Sequence, residues 1–119
     1  MMCARGRYEV VRGHTVAADC FYEGQGRLDG ALPVWYTAKD RDEFLRRACA
    51  LGCSNIEMEA TSFLSFFQRL GAPAAICDAT LLNRLEGDQV THMGAVLTEW
   101  SLRPQDIAIA WLKNEKVLA

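Results

Sequence analysis

Two kinds of sequence take turns along this chain: short stretches with strand chemistry and longer stretches with helical periodicity. RYEVVRGHTVAA (7–18) is rich in β-formers around one glycine and reads as an extended strand, bulged at Gly13. Thr37, with Asp40 three residues on, is a capping-box signature that opens a helix through about Leu51. Phe44, Leu45, Ala48 and Cys49 follow helical spacing there, and Gly52 supplies the stop. CSNIEMEA (53–60) alternates Ile56 and Met58 with Glu57 and Glu59, as a strand does. ATSFLSFFQRLG (60–71) gathers Phe63, Phe66, Phe67 and Leu70 on one stripe, ended by Gly71. APAAICDATLL (72–82) is almost wholly apolar and reads as a strand buried on both faces. Beyond the polar turn NRLEGDQVTHMG, helical sequence runs from about 93 to 116, with Pro104 either kinking it or starting a second helix.

The order β, loop, α, β, α, β, α implies an α/β fold of mostly parallel strands covered by helices. Ligands of such sheets sit beyond the carboxyl ends of strands. Both the segment after the first strand and the Glu57–Glu59 stretch fall at such ends. Three strands are few against the usual five or six or so, so residues 1–119 read as a single, incomplete domain whose beginning is missing. Half of the 119 residues are hydrophobic, enough for a real core. A net charge of −2 gives no reason to expect nucleic acid or an anionic membrane as partner. No apolar run approaches the roughly 20 residues of a membrane span, and MMCARGRYEV lacks the apolar stretch of a secretory signal. Cys3, Cys20, Cys49, Cys53 and Cys77 show neither disulfide-framework nor zinc spacing and read as reduced core thiols of a cytoplasmic protein. His14 and His92 sit in no metal-ligand spacing, so no metal site is expected.

The segment DCFYEGQGRLDGA (19–31) fits neither period. A surface loop, a phosphate-cradling glycine loop and a loop that reads a polar ligand compete for it. The dinucleotide fingerprint fails, because the third of Gly24, Gly26 and Gly30 comes one position late and ALPVW, with Pro33, opens no helix. A Walker loop fails for want of a following G-K-[ST]. What remains is Gln25 and Arg27, two positions apart and so on one side of an extended segment. A carboxamide beside a donor-only guanidinium matches an edge presenting acceptor, donor, acceptor, as uracil does through O2, N3–H and O4. On composition alone this competes with a solvated turn carrying an exposed arginine.

FYEGQGRLDGA, NIEME and TLLNRLEGDQ, in this order and at these spacings, closely resemble uridine phosphorylases of the animal type, within the nucleoside phosphorylase superfamily. The resemblance covers nearly the whole chain, including Arg103, Pro104 and Gln105, and corresponds to the C-terminal part of that family's catalytic domain. It implies that Gln25 binds uracil O2 and N3–H, that Arg27 binds O4, that Phe21 stacks on the base and that Arg84 flanks the uracil site. It places Glu57, Met58 and Glu59 at the ribose, Met58 packing on the sugar and Glu59 accepting from its hydroxyls. Asn83 stands where purine-cleaving relatives carry an aspartate, which favours a pyrimidine.

The implied reaction is phosphorolysis of uridine to uracil and ribose 1-phosphate, with Arg27 and Glu59 as the catalytic residues. Negative charge grows on the departing uracil, and donors aimed at its oxygens stabilise that charge more than they stabilise the substrate. No cofactor is implied, only inorganic phosphate as co-substrate. The complete family member would be a homo-oligomer. The family's phosphate-binding glycine and arginines, and the histidine it lends across its dimer interface, come from an N-terminal half with no counterpart here; Arg5, Arg7 and Arg12 lie in no matching context. Asp78 falls where the family is apolar, so a buried charge is expected there. Two other functions stay open: a non-catalytic remnant that binds nucleoside or pairs with full-length subunits, and a nucleoside hydrolase using water in place of phosphate.

Overall fold

The computed structural model describes residues 8–114; the opening MMCARGR and the end of the last helical stretch lie outside them. The described residues gather into two compact units, one of residues 12–76 and 82–89, the other of residues 8–11, 77–81 and 90–114.

The first unit is a βαβα arrangement. Strand β1 (His14–Ala17) pairs in parallel with β2 (Cys53–Glu57), and helix α1 (Ala38–Ala50) lies between them in sequence. The register sets Val16 opposite Ile56 and Ala17 opposite Glu57, with an irregularity between His14 and Thr15, one residue past the glycine where a bulge is expected. Gly13 is crowded by the second strand: a Cβ would lie 2.7 Å from the Ser54 side chain's Cβ and 3.0 Å from the Gly52 carbonyl oxygen. Helix α1 begins as the sequence predicts. Thr37 is its N-cap, its hydroxyl accepting from Asp40 N while the Asp40 carboxylate accepts from Thr37 N at 2.8 Å. This reciprocal bonding, with the Thr37 hydroxyl donating as well, draws Asp40 below its usual carboxylate range. The helix stops at Gly52, whose φ of 82° suits glycine.

Helix α1 packs on β2 and helix α2 (Ala60–Arg69) on β1. The core formed is small: Ala18, Leu45 and Ala60 are its buried hydrophobic residues. The aromatic stripe of α2 has the predicted spacing but does not bury. Phe66 is 60% exposed, Phe63 and Leu70 are exposed too, and Phe67 is half-buried. A two-stranded sheet has too little face to cover such a stripe.

The expected strand at 72–82 does not form. Among the described residues the sheet has two strands, and residues 72–82 are irregular, with Ala74, Ala75 and Cys77 exposed. Composition makes a stretch eligible to be a strand, but a ladder partner makes it one. Asp78 is accordingly exposed, not buried. Cys20 and Cys53 are half-buried and Cys49 and Cys77 exposed, so the described cysteines are free thiols without being core residues.

In the second unit the last helical stretch is one helix, α3 (Gly94–Asn114), with Pro104 inside it. Thr98 and Ser101 hydroxyls donate to the carbonyls of Gly94 and Leu97 just before the proline. Arg103 pairs with Glu99 one turn back at 2.7 Å. Among the described residues no helix is long and apolar enough to cross a membrane.

Candidate functional site

The parallel pairing brings the two suspect segments to one edge. Ala17 and Glu57 are partners at the carboxyl ends of β1 and β2, and Ala18 N donates to the Glu57 carbonyl at 2.7 Å. The loop 19–31 leaves from one strand end and Met58–Glu59 from the other.

The loop is folded on itself. Glu23–Gln25 form a single 3-10 turn closed by Gly26 at φ 67°, a left-handed position that favours glycine. Arg27 N and Gln25 N both donate to the Tyr22 carbonyl. Cys20 Sγ accepts from Gly24 N at 3.1 Å and donates to Glu23, tying the start of the turn. Tyr36 OH donates to the Arg27 carbonyl at 2.7 Å from the far side.

This scaffold buries the two residues singled out by sequence. Gln25 and Arg27 are each only 8% exposed, which rules out the solvated-turn reading. Polar side chains this buried require partners, and both have them. Gln25 Oε1 accepts from Arg84 Nη2 at 2.9 Å, so two candidate residues 59 apart in sequence are in contact. Arg27 is gripped by Asp29 through Nε to Oδ1 at 2.8 Å and Nη2 to Oδ2 at 2.7 Å. Its guanidinium lies 4.3 Å over the Phe21 ring. Phe21, half exposed and edge-on to Tyr22 at 5.3 Å, thus already has a cation on one face. The pairing with Asp29 raises Arg27 further above its ordinary value and lowers Asp29 below the ordinary carboxylate range. The fork with Asp29 engages Nε and Nη2 and leaves Nη1 outside that pair.

At the other strand end Glu57 and Glu59 behave differently. Glu57 Oε2 accepts from Glu59 N at 2.7 Å and Ala60 N at 2.5 Å, capping the amides that open α2. Its Oε1 is buried without a hydrogen-bond partner among the described residues. Glu59 is exposed, with Oε2 accepting from Met58 N at 3.1 Å; Met58 is half-buried. Asn83 is occupied in its own turn, its amide donating to Glu86 and its oxygen accepting from Leu85 N. Among the described residues no group of three or more His, Cys, Asp and Glu is placed to hold a metal ion.

No family model matches the chain. Individual proteins do. The chain is 45% identical over 107 residues to uridine phosphorylase 1 of Mus musculus, covering 90% of this chain and 34% of the mouse protein. Its structure superposes on the crystal structure of uridine phosphorylase from Schistosoma mansoni in complex with thymidine, with a TM-score of 0.82 and 38% identity, covering 87% of this chain and 35% of that one. Over most of its length this chain is a homologue of the uridine phosphorylases. It spans about a third of the length of the relatives it matches. Its α/β architecture is that part of the nucleoside phosphorylase fold. It is also 37% identical over 82 residues to inactive uridine phosphorylase B of Schistosoma mansoni, covering 69% of this chain and 27% of that protein.

Beside the uridine phosphorylase motifs stand residues that sequence reading missed. Asp29 holds Arg27, and Gln89 Nε2 donates to Asp29 Oδ2. Asp88 holds Arg84 and Leu28. The one signal for them was position: Asp29 two residues after Arg27, and Asp88 and Gln89 closing the polar run that contains Arg84.

Proposed function

We propose that this chain supplies the base- and ribose-binding side of a uridine phosphorylase site, in which uridine and phosphate give uracil and ribose 1-phosphate. The observation that carries the reading is the buried Gln25–Arg84 contact beside the Arg27–Asp29 pair. Two donor-only guanidiniums and a carboxamide, held at a strand end, suit a base edge of two carbonyl oxygens around an N–H.

In the reaction the C1′–N1 bond breaks, its electron pair goes to the uracil ring and spreads to O2 and O4, and a phosphate oxygen bonds to C1′. The Nη1 hydrogens of Arg27 stabilise the charge growing on O4 in a partly desolvated setting, where such donors act most strongly. The exposed Glu59 carboxylate accepts from the ribose hydroxyls, and its charge favours the cationic ribosyl group. Glu57 supports Glu59 through the backbone it caps, and Met58 packs on the sugar. No protein nucleophile is required, since phosphate attacks, and no cofactor beyond it. The partners are small molecules, the compartment is the cytoplasm, and a complete protein of this kind is a homo-oligomer.

A second reading, nucleoside binding without catalysis, draws support from the likeness to a relative described as inactive. A chimera in which this chain replaces the matching third of the mouse protein tests both. Phosphate-dependent uracil release from uridine is expected. Uracil release that ignores phosphate would indicate hydrolysis, and uridine binding with no release would favour the non-catalytic reading.

A further inference from the structure

Asp88 and Gln89 have no role in the reading above, yet each bonds a loop residue 60 positions earlier, Leu28 and Asp29. The Asp88 side chain is only 10% exposed. Its Oδ2 accepts from Leu28 N at 2.9 Å, and its Oδ1 accepts from Arg84 Nη1 at 3.3 Å. Arg41 Nη1 stands 3.9 Å from the same Oδ1. Arg84, 12% exposed, then donates through Nη2 to Gln25 Oε1 at 2.9 Å. A guanidinium has donors only, so the carboxamide atom facing it is the oxygen. Of the two flips open to Gln25, the Asp88–Arg84 pair admits one.

We propose that Asp88 is a positioning residue: by holding Arg84 against Gln25 it fixes the flip of the Gln25 carboxamide and thereby sets a preference for uracil over cytosine. The proposal rests on the base-binding role of Gln25 proposed above. A carbonyl oxygen has two lone pairs, and Arg84 takes one. The other accepts an N3–H, which uracil has. Cytosine presents a bare lone pair at N3, and the pinned oxygen repels it. A carboxamide free to turn over can offer its NH2 to that N3, at the cost of setting its oxygen against O2, so cytosine neither gains nor loses much while uracil loses its pinned acceptor. Neutralising Asp88 removes the anion that two arginines share and loosens Arg84, which keeps only its 3.3 Å bond to the Asp88 main-chain carbonyl on that side, and with it Gln25. Arg27 still opposes the cytosine amino group, so discrimination falls without vanishing.

Calorimetric titration of the mouse chimera carrying this chain, with uracil and with cytosine, tests this. D88N keeps an oxygen for Leu28 N while removing the charge that holds Arg84. The uracil-to-cytosine affinity ratio is expected to fall roughly tenfold, through weaker uracil binding with cytosine binding little changed. A purely structural role would lower both affinities together and leave the ratio in place, and that result overturns the proposal. Where D88N loses its cooperative unfolding transition, R84K carries the test: an ammonium keeps a cation beside Asp88 but lacks the fork that also reaches Gln25. The same fall in ratio is expected, and an unchanged ratio overturns the proposal. Wild-type chain that prefers uracil, with D88N that prefers it equally, sinks the role of Asp88 alone. Wild-type chain with no preference sinks the base-site reading, and this proposal with it.

Discussion

Arg27 and Asp29 face each other through two parallel hydrogen bonds, Nε to Oδ1 at 2.8 Å and Nη2 to Oδ2 at 2.7 Å. Such a fork fixes the plane of the guanidinium as well as its position. What it leaves over, the Nη1 edge, is aimed by Asp29 rather than by solvent. Arg27→Ala in the mouse chimera is therefore expected to lower kcat as well as affinity for uridine. The loss should be on the order of 1–3 kcal/mol, as for a buried polar contact left unmet. Lysine cannot reproduce the fork, so Arg27→Lys should recover little. Wild-type kcat/KM in Arg27→Ala would remove Arg27 from the site.

The same pair has a signature in acid. Asp29 titrates below its ordinary range in the folded chain, chiefly because Arg27 bonds its carboxylate. A depressed carboxylate adds stability that is fully present above its unfolded value and is lost as pH falls through the lowered one. Wild type should therefore lose stability over that acidic interval more steeply than Asp29→Asn, which has no proton to take up there. Chemical denaturation at a series of acidic pH values measures both slopes. Equal slopes would mean that the pair does not form in solution.

Glu57 and Glu59 are two residues apart but should fail differently. Glu57 accepts from two amides at the start of α2, and a lost hydrogen bond of this kind costs about 0.5–1.5 kcal/mol. Glu57→Ala should lower the melting temperature of the chain. Glu59, exposed and with its carboxylate accepting from the Met58 amide, should leave melting unchanged as Glu59→Gln while lowering chimera turnover. That turnover defect should shrink on 2′-deoxyuridine, which lacks the hydroxyl that the carboxylate is proposed to hold. Equal defects on uridine and deoxyuridine would place Glu59 away from that hydroxyl.

What could be read from sequence was what local chemistry decides. The Thr37–Asp40 box, the stop at Gly52 and the helix after Glu59 are settled by residues within one turn of each other, and all three are present. Residues 72–82 were misread because strand status depends on a neighbour, and apolar composition does not supply one. Gln25, Arg27 and Arg84 are singled out as candidates through the motifs that contain them. Their supports are not. An aspartate in a polar turn looks solvated until the fold sets Asp88 against Leu28, and nothing local to either residue announces that contact.

The last prediction concerns the 119 residues alone: they should bind uracil or uridine weakly and show no phosphorolysis. Phosphate must be held within about 3–3.5 Å of C1′ in a near-attack geometry, and a dianion there calls for several charge-assisted donors. The arginines placed at the base side are held there, Arg27 by Asp29 and Arg84 by Asp88 beside Gln25, and what they leave over is proposed to serve the base, not the phosphate. The resemblance assigns phosphate to sequence without a counterpart here, and the relatives are about three times as long. Apolar surface works against the isolated chain as well. Trp35 is 90% exposed, Phe66 60%, and the apolar stretch at 72–82 has no strand partner, so self-association at working concentrations is expected. Purified chain at high uridine and phosphate, with Glu59→Ala as control and light scattering to follow its state, decides the matter. Turnover above that control from monodisperse protein would show that residues within this chain build the phosphate site, and Arg41, Arg46 and Arg47 on α1 would be the first to examine.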